Sequence, residues 1–365
     1  MPDSAVQDLL PSPIPVRLLA EDGTVVDCPA GYGRPSTEQL RAAYRRMVVG
    51  RRFDTQATAL TKQGRLAVYP SSRGQEACQI AAALALRADD WLFPTYRDCM
   101  ALVARGVDPV ETLTLLRGDW HNGYDPAAVK VAPLCTPLAT HALHATGLAS
   151  AMRRKGADTV VLALVGDGAT SEGDFHEALN FAAVFSAPVV FLVQNNGYAI
   201  SVPLSRQSAA PSLAYKGIGY GVHSEQVDGN DPAAMLAVLG DAVERARGGG
   251  GPFLVEAHTY RIEAHTNADD ASRYRDEAEV ERWLAADPLS RLEKHLRDTG
   301  GLTDSDIEAA QAEAEGLAAD LRARMSSEPR LDPLALFDHV YATPTPQLAE
   351  QQDLLAGELK AQEGS

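Results

Sequence analysis

No stretch of this sequence approaches the 18 or more consecutive apolar residues that a membrane span requires. Cysteine is sparse. Cys28, Cys78, Cys99 and Cys135 stand far apart and no Cys-x-x-Cys pair exists, which excludes a zinc ribbon or a disulfide scaffold. They read as reduced thiols acting as small apolar side chains. Basic residues are outnumbered, 33 Lys and Arg against 49 Asp and Glu for a net charge of −16, so neither nucleic acid nor an anionic membrane surface is an expected partner. The first residues, Met1-Pro-Asp-Ser-Ala-Val, lack the basic start and apolar core of a secretory signal; a cytoplasmic protein, or a mature chain, is expected. There is no internal repeat of fixed period. An apolar share of 45% leaves ample material for a core.

Residues 1–36 hold six prolines and no helical period and read as an extended N-terminal arm. From Thr37, a plausible cap, a helix is predicted to Lys62 or Gln63, where Gly64 stops it. A short strand is expected from Leu66 to Tyr69, then a helix opening at Ser71 or Ser72 and running through Leu86. Asp108-Pro109 opens a helix that ends at Gly118. Residues 119–136 lack periodicity and read as an active-site loop, followed by a small-residue helix from Leu138 to Arg154. Strands are predicted at 160–165, 188–193, 225–228 and 253–257, with a helix from Pro232 to Arg247. Alternating strands and helices imply an α/β fold, a mostly parallel sheet with helices on both faces. The expected division is an α/β domain over 37–300 and a helical C-terminal segment over 301–365, frayed from about Glu350.

The most informative stretch is 166–196. An apolar run, Val160 to Val165, feeds Gly166-Asp167-Gly168; 26 residues then separate that triplet from Asn195-Asn196, which a second run, Pro188 to Val193, feeds. This βαβ unit sets an Asp and an Asn at the carboxyl ends of two parallel strands, where open α/β sheets bind ligands. One carboxylate and one amide oxygen suit Mg²⁺, which completes its shell with water and substrate phosphate. The unit reads as a Mg²⁺-diphosphate clamp. A dinucleotide fingerprint fits less well, because its third glycine is Ser171 and its acidic residue lies inside the glycine pair.

Spacing and residue types resemble the thiamine-diphosphate-binding motif. The surrounding text, Asp167-Gly-Ala-Thr-Ser-Glu-Gly-Asp174 and Gln194-Asn-Asn-Gly-Tyr-Ala-Ile-Ser201, is similar to the alpha subunit of the decarboxylating component of 2-oxo acid dehydrogenase complexes. The likeness extends to Gly74-Gln-Glu-Ala77, Phe93-Pro-Thr-Tyr-Arg97 and Tyr260-Arg-Ile-Glu-Ala-His-Thr266. It implies a thiamine-diphosphate-binding fold, thiamine diphosphate and Mg²⁺ as cofactors, and a 2-oxo acid as substrate. Pyruvate is slightly favoured over a branched-chain acid; an acetoin dehydrogenase alpha subunit and a non-catalytic scaffold are the alternatives. Implied partners are a beta subunit, which supplies the activating Glu in a two-alpha, two-beta heterotetramer, and a lipoyl-bearing acyltransferase.

By the same resemblance Asp167, Asn196 and the Tyr198 carbonyl hold the metal. Tyr96 and Arg97 bind the diphosphate; a guanidinium offers phosphate a planar fork. Gly166, Gly168 and Ala169 let the backbone approach it, Thr136 and Leu138 touch the aminopyrimidine, and Arg261 is a further cofactor contact. His265 is both a cofactor contact and the catalytic residue, positioning the intermediate and protonating the lipoyl group. His121, His141 and His144 are weaker candidates, and Glu76 reads as a helix-start residue. Two departures stand out. Gln194 occupies a position where some branched-chain members carry Arg, and Thr266 one where regulated animal enzymes carry a phosphorylated serine.

Overall fold

The computed structural model describes residues 7–28, 30–119, 121–327 and 332–363, and the chain divides into two compact units after Arg322. The strands are β1 (Trp91–Phe93), β2 (Val161–Gly166), β3 (Val189–Asn195), the two-residue β4 (Tyr198–Ala199) and β5 (Val202–Pro203), β6 (His223–Asp228) and β7 (Phe253–His258). Five of them form one parallel sheet in the order β1-β2-β3-β7-β6; β4 and β5 pair antiparallel beside it.

Continuous apolar runs make the centre of this sheet. Val161 to Val165 and Val189 to Val193 are fully buried, as expected of parallel strands covered on both faces. One face, carrying Val161, Ala163, Val165, Val189, Phe191 and Val193, packs with Ala142, Ala145 and Ala149 of the helix Thr140–Arg154 and with Phe175, Ala178 and Leu179 of the helix Gly173–Val184. Side-chain alternation sends Leu162, Leu164, Val190 and Leu192 to the other face, where the helix Pro232–Arg247 lies against β3, β6 and β7 and the helix Glu76–Ala85 packs on it. The arm runs along the outer edge. Val16 bridges to Val227, and Asp231 Oδ2 accepts the N–H groups of Leu18 and Leu19, both at 2.7 Å. That edge of β6 is thereby covered. The second unit holds the 3₁₀ turn Pro333–Phe337 and the helix Pro346–Glu363.

The central expectations hold: β2 and β3 are parallel neighbours, with Gly166 opposite Gln194. Other expectations need correction. Ser36, not Thr37, caps the first helix, in a reciprocal box with Gln39. Leu66 to Tyr69 is not a strand, because the Ala67 and Val68 N–H groups both turn to the Leu116 carbonyl. The next helix begins at Glu76, since Ser71 and Ser72 are engaged in a buried network described below. A three-residue strand, β1, and the helix Cys99–Ala104 were not foreseen. Near the C-terminus, residues from Glu350 to Glu363 continue a helix rather than fraying. Residues 1–6, part of the predicted arm, lie outside the described residues.

Candidate active site

A cleft of about 220 Å³ opens at the carboxyl ends of β2 and β3. Eleven of the twelve predicted site residues line it: Tyr96, Arg97, Leu138, Gly166, Asp167, Gly168, Ala169, Asn196, Tyr198, Arg261 and His265. Thr136 does not; it is exposed and is not among the described residues of the lining. His141 is in the lining and His144 and His121 are not. His141 donates from Nε2 to the Leu164 carbonyl at 2.6 Å, which leaves Nδ1 a bare acceptor. Glu76 lies apart from the cleft, fully buried and ion-paired to Arg51 at 2.8 Å.

The site concentrates buried charge outside any ion pair among the described residues. Asp167 is 1% exposed, Arg97 5% and Arg261 2%, yet none of them enters an ion pair among the described residues. Buried charges are ordinarily paired. Burial pushes the Asp167 carboxyl above its ordinary range, and Gln207 Nε2, donating to its Oδ2 at 2.9 Å, opposes this only in part. Burial likewise lowers Arg261, and Arg97 beside it adds like-charge repulsion. Two polar atoms here are also orphaned: Gln207 Oε1 and Arg261 Nε are buried with no hydrogen-bond partner among the described residues.

His265 lies between the two guanidiniums. Its Nδ1 sits 3.1 Å from Arg97 Nη2 and 3.2 Å from Arg261 Nη1. Guanidinium nitrogens only donate, so Nδ1 is the acceptor and the neutral ring carries its proton on Nε2. Burial, then Arg97 and Arg261, lower its pKa to about 4 against the opposing charge of Asp269. Asp269 Oδ2 accepts from the His265 N–H at 2.8 Å and fixes the loop.

Local backbone explains how the walls are set. Ala139 is left-handed, φ 62°, so the helix begins at Thr140 and Leu138 stays outside it, 41% exposed on the cleft; it is not a core residue. Arg97 Nη1 donates to the Ser71 carbonyl at 2.9 Å. That strap is held by Asp54, whose carboxylate accepts from the Tyr69 hydroxyl, the Ser71 hydroxyl and the Ser72 N–H at 2.9, 2.6 and 2.7 Å. Burial raises Asp54 to about 6. Asp54 escaped sequence reading because it sits mid-helix, with no motif around it. Gln75, Gln194, Glu172 and Ile200 also line the cleft and were not named as site residues.

The two glycines of the turn differ. A Cβ on Gly168 would stand 2.7 Å from the Ala199 Cβ, whereas one on Gly166 would meet nothing within 4 Å. Gly166→Ala is therefore expected to move the thermal midpoint by less than about 2 °C while weakening, at least about tenfold, the diphosphate cofactor that the motif implies. Gly168→Ala should cost about 1–3 kcal/mol of stability by overpacking. Calorimetric scans and titrations of both variants check this; a Gly166→Ala chain that binds the cofactor normally contradicts it.

The model of the family described as dehydrogenase E1 component matches residues 44–333. The chain belongs to that family. It is 47% identical over 346 residues to the 3-methyl-2-oxobutanoate dehydrogenase subunit alpha of Mycobacterium tuberculosis, covering 94% of each chain. It is 37% identical over 319 residues to the pyruvate dehydrogenase E1 component subunit alpha of Acholeplasma laidlawii, 87% of this chain and 92% of that one. With the subunit of that name from Bacillus cereus it shares 36% over 340 residues, 93% and 91% of the two chains. This chain is accordingly an E1 alpha subunit of a thiamine-diphosphate-dependent 2-oxo acid dehydrogenase complex, which implies a beta subunit. The cleft suits that cofactor. Two guanidiniums outside any ion pair among the described residues would suit a diphosphate, a buried carboxylate likewise unpaired would suit a cation bound with it, and a Cβ added at Gly166 would meet nothing within 4 Å.

Proposed function

We propose that the chain decarboxylates a branched-chain 2-oxo acid with 3-methyl-2-oxobutanoate-like shape and passes the acyl group to a lipoyl-bearing acyltransferase. The observation that carries the chemistry is the convergence of unpaired, buried Asp167, Arg97 and Arg261 on one cleft. The substrate preference rests on the higher identity to the branched-chain relative, 47% against 36–37% for the pyruvate ones, and moves the choice from pyruvate to the branched-chain acid.

In this reading Asp167, the Asn196 amide oxygen and the Tyr198 carbonyl hold Mg²⁺, which favours hard oxygen donors. Tyr96 and Arg97 bind the diphosphate, and Arg261 adds charge behind them. Gly166, Gly168 and Ala169 admit it to the backbone, and exposed Leu138 forms an apolar wall for the ring system. Thr136, exposed and outside the cleft lining, contributes only when the partner closes the site. When bound, thiamine diphosphate would supply a nucleophilic carbon to add to the oxo group and a cationic ring to accept the electron pair released as carbon dioxide leaves. His265 offers its Nε2–H to the developing charge and to the lipoyl sulfur. The beta subunit donates the activating carboxylate within a two-alpha, two-beta assembly, and the complex works in the cytoplasm.

The test is a rate comparison using an artificial electron acceptor, with the chain alone and with its beta subunit. Activity is expected only in the pair, with kcat/KM for 3-methyl-2-oxobutanoate at least about tenfold above pyruvate, a difference of about 1.4 kcal/mol in transition-state binding. A preference for pyruvate overturns the substrate assignment; turnover of neither acid overturns the reaction.

A further inference from the structure

Four buried side chains form an unbroken file that starts in the cleft wall and ends at Asp98. Asn196 Nδ2 donates to Gln75 Oε1 at 3.2 Å, Gln75 Nε2 to Gln194 Oε1 at 3.0 Å, and Gln194 Nε2 to Asp98 Oδ1 at 2.7 Å. All four residues are at most 6% exposed. Each end of the file is pinned by a backbone N–H, which can only donate. Thr95 N–H reaches Asp98 Oδ2 at 2.7 Å, joined by the Thr95 hydroxyl at 2.6 Å, and Tyr198 N–H reaches Asn196 Oδ1 at 3.2 Å.

The polarity of such a file is a matter of parity. An amide accepts at one end and donates at the other, so a file made of amides alone satisfies a donor at one terminus and faces donor against donor at the other. A carboxylate accepts at both ends and removes the conflict. Asp98 is that element. Burial raises its carboxyl, while the donations from Thr95 and Gln194 act the other way. Its Oδ1 calls for the Gln194 amide nitrogen, which turns Gln194 oxygen to Gln75, Gln75 oxygen to Asn196, and Asn196 nitrogen to Gln75.

We propose that Asp98, acting through Gln194 and Gln75, is a positioning residue that presents the oxygen of Asn196, rather than its nitrogen, to the metal. This rests on the metal reading of Asn196 given above. With Asn at position 98 the Thr95 N–H still demands an oxygen. The file then reverses and sets Asn196 nitrogen against the Tyr198 N–H, or breaks at one link. A carboxylate at position 194 in that background moves the two-ended acceptor one step along and restores the original sense at Gln75 and Asn196.

The experiment uses the full chain with its beta subunit, saturating thiamine diphosphate, and Mn²⁺ as the probe, with free Mn²⁺ counted by electron paramagnetic resonance. Asp98→Asn should weaken Mn²⁺ about 10–100-fold, the usual effect of removing an outer partner of a metal ligand. Gln194→Glu alone, which sets two carboxylates face to face, should weaken it similarly. The double variant Asp98→Asn/Gln194→Glu should return to within about threefold of the parent, a rescue that mere packing of the 95–98 turn does not foresee. Should Asp98→Asn fail to fold, comparing Gln194→Glu with the double variant carries the same test. Parent-like Mn²⁺ affinity in the singles, or no recovery in the double, overturns the relay and leaves the metal reading standing. A parent complex that binds no Mn²⁺ overturns both, and is seen before any substitution is made.

Discussion

Asp167→Asn should abolish metal-dependent cofactor binding and at the same time make the cofactor-free chain more stable. Both outcomes follow from one property: the carboxylate is buried, unpaired among the described residues, and pushed above its ordinary value of 3.8 by desolvation. The unfolded chain releases this proton near 3.8 and the folded chain at a higher pH. Between those two values the folded state binds more protons, so stability falls as pH rises through the window and stays reduced at neutral pH. Asn keeps the oxygen that receives Gln207 Nε2 and carries no charge to desolvate. The variant's thermal midpoint at pH 7 should rise by about 1–2 °C, the shift that roughly 1 kcal/mol gives in a chain of 365 residues. The gain should shrink as pH is lowered through the folded value. Mg²⁺-dependent binding of thiamine diphosphate should fall by more than about 100-fold, beyond the loss typical of outer partners. Scanning calorimetry across pH and titration calorimetry with and without Mg²⁺ measure the two halves. A variant that melts lower and binds normally would show Asp167 to be a structural turn residue.

The features legible in the sequence are those with strong local causes. Runs such as Val160 to Val165 can lie only in a buried strand or helix, and the punctuation around them decides for strand. Asp108 before Pro109, with Gly118 beyond, marks both ends of a helix, and the structure shows the side-chain cap and the left-handed stop. What escaped depends on distant partners. Leu66 to Tyr69 has strand composition, but the N–H groups of Ala67 and Val68 are claimed by Leu116, some fifty residues on. Ser71 and Ser72 look like helix caps and instead serve Asp54 and the Arg97 segment. Leu138 has helical company, and only the left-handed Ala139 keeps it out. The site shows the same split. The Gly166-Asp167-Gly168 and Asn195-Asn196 ends are contiguous signals, whereas the Asn196-Gln75-Gln194-Asp98 file joins residues up to 121 positions apart. Glutamine carries no signature of being a link in such a file.

His265→Ala should separate two steps that share one cleft. In the cofactor-free chain the His265 pKa is about 4, lowered by burial and by Arg97 and Arg261. Between that value and 6.5 the unfolded state binds the extra proton, so stability is lost as pH falls from 6.5 to 4 and changes no further from this group below it. A diphosphate drawing the charge of Arg97 removes part of the repulsion. The ring should therefore titrate higher in the loaded complex, back toward the range where a histidine exchanges protons readily. Nuclear magnetic resonance of the ring Cε1 proton, with and without thiamine diphosphate and Mg²⁺, reads this directly; a midpoint that stays near 4 on loading leaves the ring unable to deliver a proton at neutral pH. The Ala variant keeps Arg97, Asp167 and the turn glycines, so cofactor affinity should change by less than about threefold. Transfer of the acyl group to lipoamide should fall by about 10²–10⁴, the span of one lost proton donor. Single-turnover kinetics separate decarboxylation from acyl transfer. Equal losses in cofactor binding and in transfer would make His265 a brace between two arginines, because its Nδ1 contacts alone would then account for everything its removal does.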